Sequence, residues 1–266
     1  MSNSALLRRR SFLKALAAGA ATAPFFVPRL ISAPPSSRVL HASMGAGGMA
    51  RADLTELSSH NLLDLIAVAD VEPAKANDLK QKFPKLRVYA DWRELFDKEK
   101  DLTSVNVSTP DHMHAPMAMT AMQRGIHVYG QKPLTHDIYE TRKLTEMARR
   151  KKLVTQMGIQ IHSSAEYRTA VRLVQDGVIG KIKEVHTWSS KKWGDNDPMP
   201  QRVDPVPAGF NWDHWLGVCA DRPFIGQGWY HPGNWRKRLD FGTGTFGDMG
   251  CHIYDPVFKA LALTAP

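Results

Sequence analysis

The run Gly45-Ala46-Gly47-Gly48-Met49-Ala50 constrains this chain more than any other segment. It fits G-x-G-x-x-G/A, follows a predicted strand from Arg38 to Met44 and opens a helical pattern. In such a turn the first glycine makes a tight bend and the second lets a pyrophosphate approach the backbone. The last small residue allows close packing of helix on strand. Free N–H groups at the helix start then favour negative charge. Taken alone the string is weak. The confirming feature is Asp70, which ends the run Ala67-Val68-Ala69-Asp70 at the spacing expected for a carboxylate that holds ribose hydroxyls. Strand, glycines, helix, strand and acid in this order predict a bound dinucleotide. An acid at position 70 with no arginine directly after it favours NAD, with NADP still open, because a carboxylate repels the extra phosphate.

From Arg38 onward short apolar runs alternate with longer amphipathic segments, the signature of β-α-β units on a parallel sheet. Strands are predicted at Arg38–Met44, Leu63–Asp70, Thr103–Val107, His127–Tyr129 and Val154–Met157. Helices are predicted at about Pro73–Phe83, Ala115–Arg124 and Asp137–Lys151. The expected fold is α/β: a doubly wound Rossmann domain over 38–158 and a partial substrate domain over 159–266. Residues Ile182–Ser190 alternate as a half-exposed strand does, and the sequence after them is rich in Pro, Gly and Trp.

The segment Ser108-Thr109-Pro110-Asp111-His112-Met113-His114 follows the Thr103–Val107 strand, and ligands of open α/β sheets sit outside that end of the strands. Thr109, Pro110 and His114 are therefore expected near the cofactor. Two histidines two apart invite a metal reading, but no further ligands complete a set, so no metal site is expected.

The formal charge of +9 would ordinarily raise nucleic acid or an anionic membrane as a partner. Five of the excess positive charges, Arg8, Arg9, Arg10, Lys14 and Arg29, lie in residues 1–33, which hold no acid, so the remainder carries +4. That balance suits a pyrophosphate ligand and gives no reason to expect nucleic acid. The sequence Arg8-Arg9-Arg10-Ser11-Phe12-Leu13-Lys14, the small and apolar run Ala15–Val27 and Ile31-Ser32-Ala33 resemble a twin-arginine export signal with its cleavage site. The apolar stretch is too short for a spanning helix of about twenty residues. A periplasmic or extracellular protein, with no membrane insertion after signal removal, is expected. Cys219 and Cys251 have no companion pair, so a disulfide framework is not expected.

Two further motifs sharpen the reading: Gly130-Gln131-Lys132-Pro133-Leu134, and Gly247-Asp248-Met249-Gly250-Cys251-His252. With the glycine turn they resemble the glucose-fructose oxidoreductase and inositol dehydrogenase family, Gfo/Idh/MocA, from Arg38 to the last residue. The resemblance implies a Rossmann domain followed by a domain on a mostly antiparallel sheet, with the active site between them. It implies NAD or NADP as cofactor, a sugar-like substrate, and sheets that often pair into homo-oligomers. The family's Glu-Lys-Pro motif falls on Gln131-Lys132-Pro133, so Lys132 inherits the catalytic lysine role, a cis Lys132–Pro133 bond is implied, and Gln131 replaces a glutamate beside the cofactor. Asp248 and His252 match the family's downstream pair. A spacing of four places them on one helix face, and a histidine near neutrality suits the hydroxyl proton of a carbinol. Gly242, Gly244 and Gly247 are expected to let backbone approach a ligand.

Three readings stay open. An oxidoreductase acting on a sugar or cyclitol hydroxyl would reduce its cofactor on turnover. A glycoside hydrolase of the NAD-dependent α-N-acetylgalactosaminidase kind would cleave substrate with no net change in cofactor. A cofactor-binding protein without turnover is the third reading. It arises because the chain stops at Leu263-Thr264-Ala265-Pro266, where family members continue, so a shortened second domain is expected. The tryptophans at 188, 193, 212, 215, 229 and 235 are expected mainly as packing residues. His162 and Tyr167 are weaker candidates for the cleft.

Overall fold

A computed structural model describes residues 38–194 and 196–265; the export-signal segment lies outside the described residues. Six parallel strands form one sheet: β1 (Val39–Met44), β2 (Leu63–Ala69), β3 (Arg87–Tyr89), β4 (Ser104–Val107), β5 (His127–Gln131) and β6 (Thr155–Gly158). Their order is β3-β2-β1-β4-β5-β6. The direction of winding reverses between β1 and β4, and a crevice opens outside the carboxyl ends of those strands.

Between the strands run α1 (Gly48–Leu57), α2 (Asn77–Lys82), α3 (Trp92–Lys98), α4 (His114–Gln123) and α5 (Ile138–Lys151). Consecutive residues of β1, β2 and β4 are buried, so these strands are covered on both faces and read as apolar runs and not as alternating ones. On one face Val105, Val107 and Val128 pack with Met117, Ala121, Leu144 and Met147 of α4 and α5. A separate cluster joins Leu54 of α1 to Leu65, Val68 and Leu79. Helix α5 starts where the sequence places it because Asp137 accepts from Glu140 N at 2.9 Å while Glu140 Oε2 accepts from Asp137 N at 3.2 Å. That reciprocal cap satisfies two otherwise free donors, and Arg149, Arg150 and Lys151 complement the other end.

After β6 come α6 (Ala165–Gln175), α7 (Trp212–Leu216), α8 (Gly244–Ile253) and α9 (Asp255–Leu261), joined by irregular chain. The strand expected at Ile182–Ser190 is not formed: this stretch carries no regular structure and is mostly exposed. Alternation alone does not make a strand; a neighbouring strand must take up its N–H and C=O groups, and no strand pairs with it among the described residues. The Pro- and Trp-rich segment instead builds an aromatic core of Phe210, Trp212, Trp215, Phe224, Tyr230, Trp235 and Phe241. Trp212 stacks on Trp215 with centroids 4.9 Å apart. This layer is fastened over the carboxyl edge of the sheet by Asn211 N donating to Val71 O at 2.9 Å and His112 N donating to Phe241 O at 3.2 Å. The packing role expected of the tryptophans holds for Trp212, Trp215 and Trp235, whereas Trp188 is 80% exposed. Among the described residues no helix is long and apolar enough to cross a membrane.

Candidate functional site

The glycine turn closes the carboxyl end of β1. Gly45 has φ +101°, and a Cβ there would lie 2.7 Å from the Ser108 carbonyl oxygen, so both conformation and space demand glycine. Gly48 has φ +50° and would meet nothing within 4 Å, because its open side faces the cleft. No side chain caps the first turn of α1 and no acid stands in it, which leaves its N–H groups available for an anion.

Asp70 reaches back to this turn. One carboxylate oxygen accepts from Ala46 N at 2.8 Å and the other from Glu72 N at 2.9 Å. Burial pushes its carboxyl above the ordinary 3.8, against the pull of those two backbone donors. The acid therefore fixes the glycine turn as well as facing the cleft.

Gly45, Gly47, Gly48, Asp70, Thr109 and Pro110 line one side of a cleft of about 310 Å³; Trp215, His231, Trp235 and Arg236 form the side facing them. The cleft lies at the winding reversal of the sheet and is roofed by the aromatic layer. The residues present fit a dinucleotide: a bare glycine cradle, an uncapped helix start and an acid at the end of β2.

Two residues expected among the cofactor contacts stand behind the cleft. His114 is 1% exposed, with Nδ1 2.7 Å from Pro133 O and Nε2 2.8 Å from Thr109 O. It is a strut between two loops, because both ring nitrogens are engaged by backbone. Gln131 is 3% exposed and donates from Nε2 to both carboxylate oxygens of Asp53 at 3.0 Å.

Lys132 and Asp248 come from opposite halves of the chain and meet. Lys132 Nζ donates to Asp248 Oδ1 at 2.5 Å and to Asp248 O at 3.1 Å, with the two side chains 11% and 9% exposed. Arg236, from the cleft wall, donates from Nε to the same Oδ1 at 3.3 Å and lies over the ring of Trp235 at 4.2 Å. Burial raises the Asp248 carboxyl, but Lys132 and then Arg236 carry it below the ordinary 3.8. The start of α8 is anchored by Thr243 Oγ1 donating to Asp111 Oδ2 at 3.0 Å. His252 lies one turn beyond Asp248 on α8. Burial, then the Lys132 charge, hold it below 6.5 against the pull of Asp248. The Lys132–Pro133 bond is cis.

Gly242 does a different job from the one expected. A Cβ there would sit 2.6 Å from Arg236 Cα, so the glycine admits the chain's own backbone and thereby places Arg236. His162 and Tyr167 both pair with Asp255, the histidine at 2.8 Å, and neither lines the cleft. Among the described residues no cluster of three or more His, Cys, Asp or Glu is placed to hold a metal ion. Sequence reasoning missed Asp53: a lone acid inside a helix gives no signal until the sheet is assembled around it.

Comparison with known proteins agrees with this geometry. Residues 41–159 match the model of the oxidoreductase family with NAD-binding Rossmann fold, and residues 166–263 match the C-terminal alpha/beta domain of the same family. A levoglucosan dehydrogenase of Pseudarthrobacter phenanthrenivorans is 25% identical over 144 residues, covering 53% of this chain and 37% of the relative. A glycosyl hydrolase family 109 protein of Shewanella is 27% identical over 206 residues, covering 66% of this chain and 44% of the relative. The chain thus spans less than half the length of these two relatives. The crystal structure of GenD2 from gentamicin A biosynthesis, in complex with NAD, shares the fold with TM-score 0.63 at 21% identity, covering 90% of this chain and 58% of that one. With both of its domain models matched in order along the chain, the protein belongs to the Gfo/Idh/MocA family of oxidoreductases.

Proposed function

We propose that this chain binds NAD in the cleft under the aromatic layer and transfers hydride between it and a hydroxyl-bearing carbon of a sugar or cyclitol. The observation that carries the proposal is the buried Lys132–Asp248 pair, tied through Arg236 to a cleft whose other wall is the glycine cradle. The nicotinamide, when bound, accepts or supplies the hydride. The chain's own groups handle the proton. His252, held below its ordinary value, is neutral at neutral pH and able to take the hydroxyl proton. The Lys132 ammonium polarises the oxygen that becomes a carbonyl, and Asp248 keeps that ammonium in place. Residues 38–158 serve the cofactor and residues after them the substrate. The twin-arginine pattern of residues 1–33 supports export of the folded, cofactor-loaded protein.

Titration calorimetry with NAD and NADP tests the cofactor reading. Saturable binding with preference for NAD is expected. Asp70→Ala should weaken it about 10- to 100-fold, since a hydrogen bond to a charged group contributes about 1.5–3 kcal/mol. No binding to a folded sample sinks the proposal. A panel of sugars then separates the two chemistries. NADH formation supports the oxidoreductase. Cleavage of a glycoside with NAD unchanged overall supports the hydrolase reading, which the family 109 relative favours.

A further inference from the structure

Behind the cleft a chain of buried polar groups runs from β1 to Lys132. The His41 ring faces Ser104 Oγ at 2.7 Å and Asn106 Oδ1 at 3.0 Å. Asn106 Nδ2 donates to Ser108 Oγ at 2.9 Å, and Ser108 Oγ donates to Asp53 Oδ2 at 2.7 Å. Asp53, on α1, accepts from Gln131 Nε2 through both oxygens at 3.0 Å. Gln131 Oε1 in turn accepts from Lys132 N at 3.1 Å.

The orientation of the Gln131 amide is fixed from both ends. A backbone N–H only donates and a carboxylate only accepts, so the oxygen must face Lys132 and the nitrogen must face Asp53. The space around it is equally fixed. A Cβ at Gly158 would lie 2.9 Å from Gln131 Nε2 and 2.8 Å from Tyr129 Oη. Gln131 is therefore a rigid link, with the helix that follows the glycine turn at one end and the peptide of the reacting lysine at the other.

The departure of Gln131 from the Glu-Lys-Pro pattern becomes intelligible here. A glutamate at this position would put a second carboxylate about 3 Å from Asp53 in a buried site, where two like charges cannot both be held. With an amide, one carboxylate suffices, and it comes from α1 instead of from β5.

We propose that Asp53 is a positioning residue for Lys132. Through Gln131 it supplies the buried carboxylate of the lysine motif and couples the phosphate-facing helix to the reacting ammonium. The inference rests on Lys132 being the reacting lysine, as proposed above.

The test uses the full chain with Asp53→Asn, Gln131→Glu and the double variant that exchanges the two functions. Two quantities are read without turnover: stability to urea at pH 5 and pH 8, and the rate at which acetic anhydride labels Lys132 in the folded protein, located by mass spectrometry. Gln131→Glu is expected to lose stability as pH rises from 5 to 8, because the paired carboxylates share a proton at the lower pH and repel at the higher. Both single variants are expected to change the Lys132 labelling rate about tenfold, the size of effect that loss of one charged hydrogen bond produces. The double variant restores acid and amide to adjacent positions and should bring stability and labelling back to within about twofold of the parent.

Unchanged Lys132 labelling in folded single variants overturns the proposal even if they are less stable, since a merely structural role lowers stability alone. If Gln131→Glu does not fold, the double variant decides, and its failure to fold or to label like the parent also overturns the proposal. NAD binding by the parent is measured beside these assays. Its absence sinks the functional reading while the labelling comparison still decides the role of Asp53.

Discussion

Replacement of Lys132 by Met is expected to lower turnover about 100- to 1,000-fold, the range associated with losing one positioned donor to a developing oxyanion, while leaving NAD binding within a few-fold of the parent. The separation follows from geometry. In the proposed site the glycine cradle and Asp70 would hold the dinucleotide, whereas Lys132 does not line that cleft and bonds to none of them. Its ammonium is instead committed to Asp248 Oδ1 and O. Met keeps most of the lysine stem and so limits the packing loss. The change leaves Asp248 with Arg236 as its remaining cationic neighbour at 3.3 Å. Breaking a buried pair costs roughly 3–5 kcal/mol when nothing compensates, so a urea melt accompanies the kinetics and Lys132→Arg serves as the charge-retaining control. The measurement is NADH formation with the best substrate of the sugar panel. Turnover within threefold of the parent in a folded Lys132→Met protein would remove the lysine from the chemistry.

The same site shows how far sequence reaches. The glycine turn and Asp70 were legible because their function is local: a positive φ at Gly45 and an acid at a strand end are written in adjacent residues. β1, β2 and β4 were legible for a similar reason, since burial on both faces forces apolar runs. β3 was not. It has three residues, Arg87–Tyr89, at the sheet edge, and two of them are polar partners of Glu99. Ile182–Ser190 misled because its alternation satisfies a pattern whose energy comes only from pairing. The place of His114 in the chain points to the cofactor, yet its ring spans Thr109 O and Pro133 O. Asp53 was the larger omission. It acts on residues 55 and 78 positions away, and nothing local marks it.

Stability is expected to fall steeply in mild acid, with His112 and His41 each contributing about 3 kcal/mol to the loss. His112 is 2% exposed between Trp215 and Phe241, with ring centroids at 5.5 and 5.1 Å. Its Nε2 lies 3.0 Å from Trp215 O, while Nδ1 has no hydrogen-bond partner in the protein. Protonation would add a donor where no acceptor stands and a charge where little water reaches. Burial lowers both rings from 6.5 to about 4, in His41 against the pull of the Asn106 bond. The sign follows directly. Between pH 6.5 and pH 4 the unfolded chain binds protons that the folded chain refuses, so stability is complete above pH 6.5 and is lost as pH falls toward 4. A difference of about 2.5 pKa units corresponds to about 3 kcal/mol per ring. Asp53, Asp70 and Asp111, whose carboxyls burial raises, work in the opposite sense just above pH 3.8, so the raw profile mixes the two. Comparison of parent with His112→Gln isolates the ring. Gln cannot take up a proton, so the stability lead of the parent at pH 7 should shrink by about 2.5 kcal/mol at pH 4.5, or reverse. An unchanged difference between the two pH values would mean that the folded protein accepts the proton, and that the aromatic layer opens to water at the ring.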